Sequence, residues 1–242
     1  MSMSSTNNKK VSPFLIQWII ANAIGFAIGG AFGPAFGENV GFSFGKTISQ
    51  TLSFSPGLQE VLSSTTAGLL MSLLSSGIIG IAQWFVIRNY ILRAQWWIPA
   101  SMIGAVLGST INSANGELLR FIVGDSGNPF WVLLLGGILI SPLVGLVSGL
   151  FEWAVLRIQL PRAGWWIVIR AIIEIAITLL NIVGAIFSFI LGTEIGRYIC
   201  NGGTQLFIGA IFGIMTGFVL SWMINQRNKD QNLMSFESEN NH

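Results

Sequence analysis

Apolar residues run through this chain in blocks far longer than any amphipathic period. The stretches Phe14–Gly33, Leu62–Ile87, Pro129–Leu156 and Trp165–Gly192 carry no charge except Glu152, Arg170 and Glu174. A bilayer core takes roughly 20 apolar residues per helix, and a soluble protein has no reason to build five or six such segments. The pattern predicts transmembrane helices near 14–33, 61–87, 97–115, 130–156, 165–192 and 205–225. The first run follows Lys9 and Lys10 and contains Ala21-Asn22-Ala23, which imitates a secretory signal with its cleavage site. A repeat that matches this run to a later helix favours a permanent first helix.

Residues 80–98 and 149–167 align without a gap at an offset of 69, and nine of the nineteen positions are identical. Gly80-Ile-Ala-Gln83-Trp84-Phe-Val86-Ile-Arg88 matches Gly149-Leu-Phe-Glu152-Trp153-Ala-Val155-Leu-Arg157, and Arg93-Ala-Gln-Trp96-Trp97-Ile98 matches Arg162-Ala-Gly-Trp165-Trp166-Ile167. The block opening at Trp97 also resembles the one opening at Trp18, and Trp222 lies a further 69 residues beyond Trp153. Self-similarity at a fixed period marks a repeated supersecondary unit. Three tandem helix pairs follow, about 14–87, 97–156 and 165–225, with extra length in the first outer loop. Units of equal orientation can surround an axis along the membrane normal. The expected fold is therefore all-α, a pseudo-threefold bundle of six helices forming one domain over 13–226. A polar segment (1–12) precedes it and a disordered polar tail (227–242) follows. The outer loop near 34–60, rich in Gly, Ser and Phe, reads as a short interfacial or re-entrant segment.

Charge sets the orientation. Only 9% of residues are charged, against about a quarter in soluble domains. The N-terminus, the two tight turns and the C-terminus carry Lys9, Lys10, Arg88, Arg93, Arg157, Arg162, Arg227 and Lys229, while the opposite loops carry Lys46, Arg120 and Arg197. Basic residues are retained in the cytoplasm, so both ends are expected inside. Trp84, Trp96, Trp97, Trp153, Trp165 and Trp166 then read as interfacial anchors at headgroup depth. Glycines at four-residue spacing (Gly25 and Gly29, Gly104 and Gly108, Gly145 and Gly149, Gly209, Gly213 and Gly217) read as close-packing faces, within the bundle or toward another subunit.

Ionisable groups inside a bilayer are costly and are candidate sites by default. Arg170 and Glu174 stand one helical turn apart, and Glu152 lies near the end of the preceding helix. By the repeat, Glu152 corresponds to Gln83 and Ser221, and Arg170 to Ser101 and Asn22. Where one position becomes acidic the other becomes basic, which predicts the pairs Gln83–Ser101, Glu152–Arg170 and Ser221–Asn22. The charged cluster reads either as a structural ion-pair clamp or as a site for a proton or a solute charge. Asn112 and Asn181 are expected to supply interhelical hydrogen bonds.

The sequence excludes much chemistry. A net charge of +2 makes no case for nucleic acid, the single Cys200 allows no internal disulfide, and the sole histidine is His242. No phosphate-binding loop, HExxH, CxxC or nucleophile elbow is present, so no enzyme, metal or cofactor is expected. The block Q/E-W-x-V-x-R followed by R-A-x-W-W-I, at Gln83–Ile98 and Glu152–Ile167, resembles a motif of uncharacterised bacterial, cyanobacterial-type, polytopic membrane proteins. That resemblance implies a shared fold and a bacterial inner or thylakoid membrane, and no activity. The expected function is an accessory, scaffold or assembly role beside other membrane subunits or a second copy. The alternative is a small-solute or ion channel or transporter using Glu152, Arg170 and Glu174.

Overall fold

The computed structural model describes residues 13–123, 129–191 and 194–240. The expected N-terminal segment and the last two residues lie outside that range. Every regular element among the described residues is helical. The elements are α1 (Pro13–Phe32), a π-helical turn (Gly33–Glu38), α2 (Asn39–Thr51), α3 (Pro56–Ile87), a 3₁₀ turn (Ala94–Trp96), α4 (Trp97–Val123), α5 (Pro129–Leu156), α6 (Trp165–Leu191) and α7 (Glu194–Asn240). Five spans are long and apolar enough to cross a membrane: Pro13–Thr51, Pro56–Ile87, Leu134–Leu156, Trp165–Gly184 and Gly203–Gln231. The sixth helix, α4, is long enough but more polar, with Ser101, Ser109, Thr110 and Asn112 in its sequence.

Each long helix lies between two others. α1 packs on α3 and α7, α3 on α4, α4 on α5, α5 on α6, and α6 on α7, so the succession closes on itself. A glycine stands at every one of these interfaces. A Cβ at Gly25 would lie 3.2 Å from Ala82 Cβ of α3, and one at Gly104 would lie 2.9 Å from Ser148 Cα of α5. At Gly145 it would meet the Arg170 carbonyl oxygen of α6 at 2.5 Å, and at Gly213 the Ile19 Cα of α1 at 2.8 Å. Gly29, Gly108, Gly149, Gly209 and Gly217 face the same neighbours. Lipid gives helices no hydrophobic reason to associate, so close backbone approach must supply the packing. The expected glycine faces are thus spent within the chain.

The region expected as an outer loop is helical. The chain continues unbroken from Pro13 to Thr51, 39 residues, and turns at 52–55 with Ser53 in the left-handed region (φ 55°). Glycines recur every fourth residue from Gly25 through Gly45, and that stripe carries the helix along α3: Cβ atoms at Gly37 and Gly41 would sit 2.4 and 2.5 Å from the Cα atoms of Met71 and Ala67. Pro34 has no N–H for the helical ladder, and the widened π turn at 33–38 absorbs it. At 1.5 Å per residue this arm is about 58 Å long, against a hydrocarbon core of about 30 Å. The expected disordered tail also differs: α7 continues to Asn240, since nothing from Asn225 to Asn240 is a proline or a glycine.

The two tight turns share one geometry at the offset of 69. Arg93 and Arg162 both take positive φ (59° and 58°), and Trp96 and Trp165 donate their backbone N–H groups to Arg93 and Arg162, each at 3.1 Å. Arg88 stacks on Trp84 at 5.1 Å and Arg157 on Trp153 at 4.9 Å.

Candidate functional site

The bundle has a dry end and a polar middle. At the tight-turn end Trp18, Trp97 and Trp166 are fully buried among Ile87, Leu156, Leu220 and Met223. Trp97 meets Trp18 edge-on at 6.2 Å and Trp166 at 5.6 Å between ring centroids. Each indole N–H finds a buried acceptor, which aromatic residues with a polar tip require away from water. Trp97 Nε1 donates to Gln83 Oε1 at 2.7 Å, Trp166 Nε1 to Glu152 Oε2 at 2.7 Å and Trp18 Nε1 to Thr216 Oγ1 at 2.8 Å. Outside this layer the turns hold each other. The Gln159 side chain bonds both the N–H and the carbonyl of Leu92, and Arg227 donates to the Tyr90 carbonyl at 3.0 Å.

This placement corrects two of the six expected anchors. Trp97 and Trp166 are core residues, because each lies directly after the turn and points inward to the acceptor fourteen positions earlier. Trp96 and Trp165 are the exposed members of the pairs, at 61% and 59%. Trp84 and Trp153 are half-buried beneath their arginines.

Above the indoles a cavity of about 320 Å³ is lined by side chains of all six long helices. From α3 come Ser76 and Gln83, from α4 Ser101, Ser109 and Asn112, and from α5 Ser141, Ser148 and Glu152. Arg170, Glu174 and Thr178 line it from α6, with Phe26 of α1 and Phe212 of α7 as apolar walls. Along α4 the lining extends eleven residues from Ser101 to Asn112, about 16 Å at the helical rise. The expected cluster of Glu152, Arg170 and Glu174 is therefore on the cavity wall. Arg170 Nε lies 3.0 Å from Glu152 Oε2 and its Nη1 lies 3.5 Å from Glu174 Oε1, while the guanidinium carbon stands 4.9 Å over the Phe212 ring.

Of the three expected pairs, only Glu152 and Arg170 are joined by a polar contact among the described residues. Gln83 donates instead to Asn22 Oδ1 at 2.7 Å while accepting from Trp97. Ser101 and Ser221 keep buried hydroxyls without a partner. A serine at 221 is too short to replace the Gln or Glu of the other hairpins, and Thr216, on another face of α7, takes the Trp18 bond. The expected interhelical asparagines divide as well. Asn181 Oδ1 accepts from Gln205 Nε2 at 3.3 Å between α6 and α7, whereas Asn112 faces the cavity.

Ser76, Ser109, Ser141 and Ser148 are not among the expected residues, although the sequence carries a signal for them. Ser101, Ser109 and Asn112 share a helical face with Gly104 and Gly108, and Ser141, Ser148 and Glu152 share one with Gly145 and Gly149. Small and polar residues on one stripe mark an inward face. Ser141 has a second task. Pro142 lacks the N–H that would bond the Ile138 carbonyl, and Ser141 Oγ donates to that carbonyl at 3.1 Å, so the helix passes its proline with the acceptor satisfied.

The sequence matches no family model, no curated protein and no solved structure.

Proposed function

We propose that this chain is a non-enzymatic integral membrane protein whose three helical hairpins surround a central chamber for a small polar solute, closed at the cytoplasmic end by the indole layer. The cavity carries this reading. A scaffold has no use for a cavity of about 320 Å³ lined by five serines, a threonine, two amides and three charges, because unneeded polar groups in a bilayer are costly. Its volume lies at the lower end of the range typical of ligand pockets. Three features support the repeat: the nineteen aligned positions, the matching turns at Arg93 and Arg162, and the indoles at the ring centre. Orientation rests on the basic residues, eight at the tight-turn end and termini against three opposite. Passage of a solute then requires the indoles to part.

Proteoliposomes containing the full chain test the reading. Flux of small polar solutes should exceed that of empty liposomes, and a bulky maleimide on Ser109→Cys in a Cys200→Ser background should block it. Folded protein that passes and binds no solute would contradict the reading.

One observation favours the scaffold alternative. The outer side of the first hairpin exposes Phe32, Phe36, Val40, Phe44, Ile48 and Leu52 at four-residue spacing, an apolar stripe on an arm longer than the bilayer core is thick. Co-purification of another membrane subunit that is lost on Phe36→Ser with Phe44→Ser would support that role.

A further inference from the structure

Resting on the chamber reading, we infer that its occupant is a small monovalent cation, bound by oxygen acceptors, of the ammonium, primary amine or alkali-ion kind. The argument is a census of donors and acceptors. A hydroxyl offers one proton and two lone pairs, and four cavity serines have already committed the proton. Ser76 donates to the Ser72 carbonyl at 2.6 Å, Ser109 to Val106 at 2.8 Å, Ser141 to Ile138 at 3.1 Å and Ser148 to Gly104 at 3.2 Å. Their oxygens remain in the cavity wall as acceptors. Gln83 is committed to Trp97 and Asn22 through both ends of its amide.

Charge points the same way. Among the described residues, the cavity's charged groups are one guanidinium and two carboxylates, so acids outnumber bases in this part of the wall. Arg170 is unsuited to capture an anion, since both carboxylates hold it and Phe212 lies under it. A monovalent cation suits a wall in which one carboxylate is in excess over the single guanidinium. Ser101 adds a second indication: it is 8% exposed, it lines the cavity, and its Oγ makes no hydrogen bond of good geometry, the Glu152 carboxylate being its polar neighbour. A buried hydroxyl without a partner is costly in an empty wall. It stands one layer above Gln83 and beside Glu152, where an occupant would meet both its oxygen and the carboxylate. Carboxylates, hydroxyls and carbonyls form the donor set that suits hard cations.

Binding to the purified full chain in detergent tests this, with methylammonium, sodium and potassium as cation probes, urea as the neutral probe and formate as the anion. At least one cation should bind and raise the unfolding temperature, as any ligand selective for the native state does, and neither urea nor formate should. Glu174→Gln and Ser101→Ala should each weaken that binding by about tenfold, the loss typical of a hydrogen bond to a charged group. Methylammonium with no alkali-ion response assigns the amine kind, and the converse assigns the metal ion. Preference for formate or urea, or cation binding unchanged in both folded variants, would overturn the inference while leaving the chamber intact. Absence of binding by every probe, together with an unreactive Ser109→Cys, would remove the chamber itself.

Discussion

The two ends of one six-helix bundle use the same kind of side chain to opposite effect. At the turn end, Gln83 and Glu152 each accept an indole N–H and become part of a dry layer with Trp97 and Trp166. Toward the other end, Ser109, Ser141 and Ser148 on the same helices line open volume. The difference lies in what stands opposite. Large rings fill the axis where the chain turns tightly, and small residues leave it empty where the helices run free. Polar groups cost little in the first case because each has a partner. In the second they need a ligand or water.

The contrast can be sharpened by substitution. Removing one indole from the dry layer should have the largest effect: Trp97→Ala should destabilise by about 3–5 kcal/mol, the usual result for a buried tryptophan, measured by thermal unfolding in detergent. Arg170→Ala alone should cost a comparable amount, about 3–5 kcal/mol, because it leaves two carboxylates buried without their counter-charge. Combining it with Glu152→Gln and Glu174→Gln should recover most of that loss, and a triple variant no better than the single one would show that packing rather than charge holds the site. Gly145→Val should cost about 1–3 kcal/mol or more by overpacking, since its Cβ would meet the Arg170 carbonyl oxygen at 2.5 Å. The smallest effect belongs to the cavity wall. Ser109→Ala should change stability by no more than about 1 kcal/mol, in line with single polar contacts measured in membrane bundles, while lowering cation affinity. If Ser109→Ala were as damaging as Trp97→Ala, the two ends would not differ in the way described.

The same contrast explains what was legible in the sequence. The helices, and the contact between Glu152 and Arg170, follow from apolar run length and from an offset of 69 that needs no structure to see. The inward turn of Trp97 and Trp166 was harder, because a tryptophan at an interface and one in a core look alike in composition. The constant separation of fourteen between Gln83 and Trp97, and between Glu152 and Trp166, was the available clue. The long first arm looks like a loop in the sequence because Gly, Ser and Phe usually mark one. In lipid a glycine every fourth residue marks a helix packed tightly on its neighbour, and that stripe runs from Gly25 to Gly45. The displaced partner of Trp18 could not be foreseen, since it depends on which face α7 turns toward α1.

Sided chemical access to the two ends tests the central claim most directly. In the Cys200→Ser background, Ser109→Cys should react with a small membrane-impermeant thiol reagent applied from the side away from the tight turns. Met223→Cys, within the indole layer, should stay unmodified from either side. Protection of both positions, or entry to Ser109→Cys only from the tight-turn side, would contradict a chamber sealed by its tryptophans.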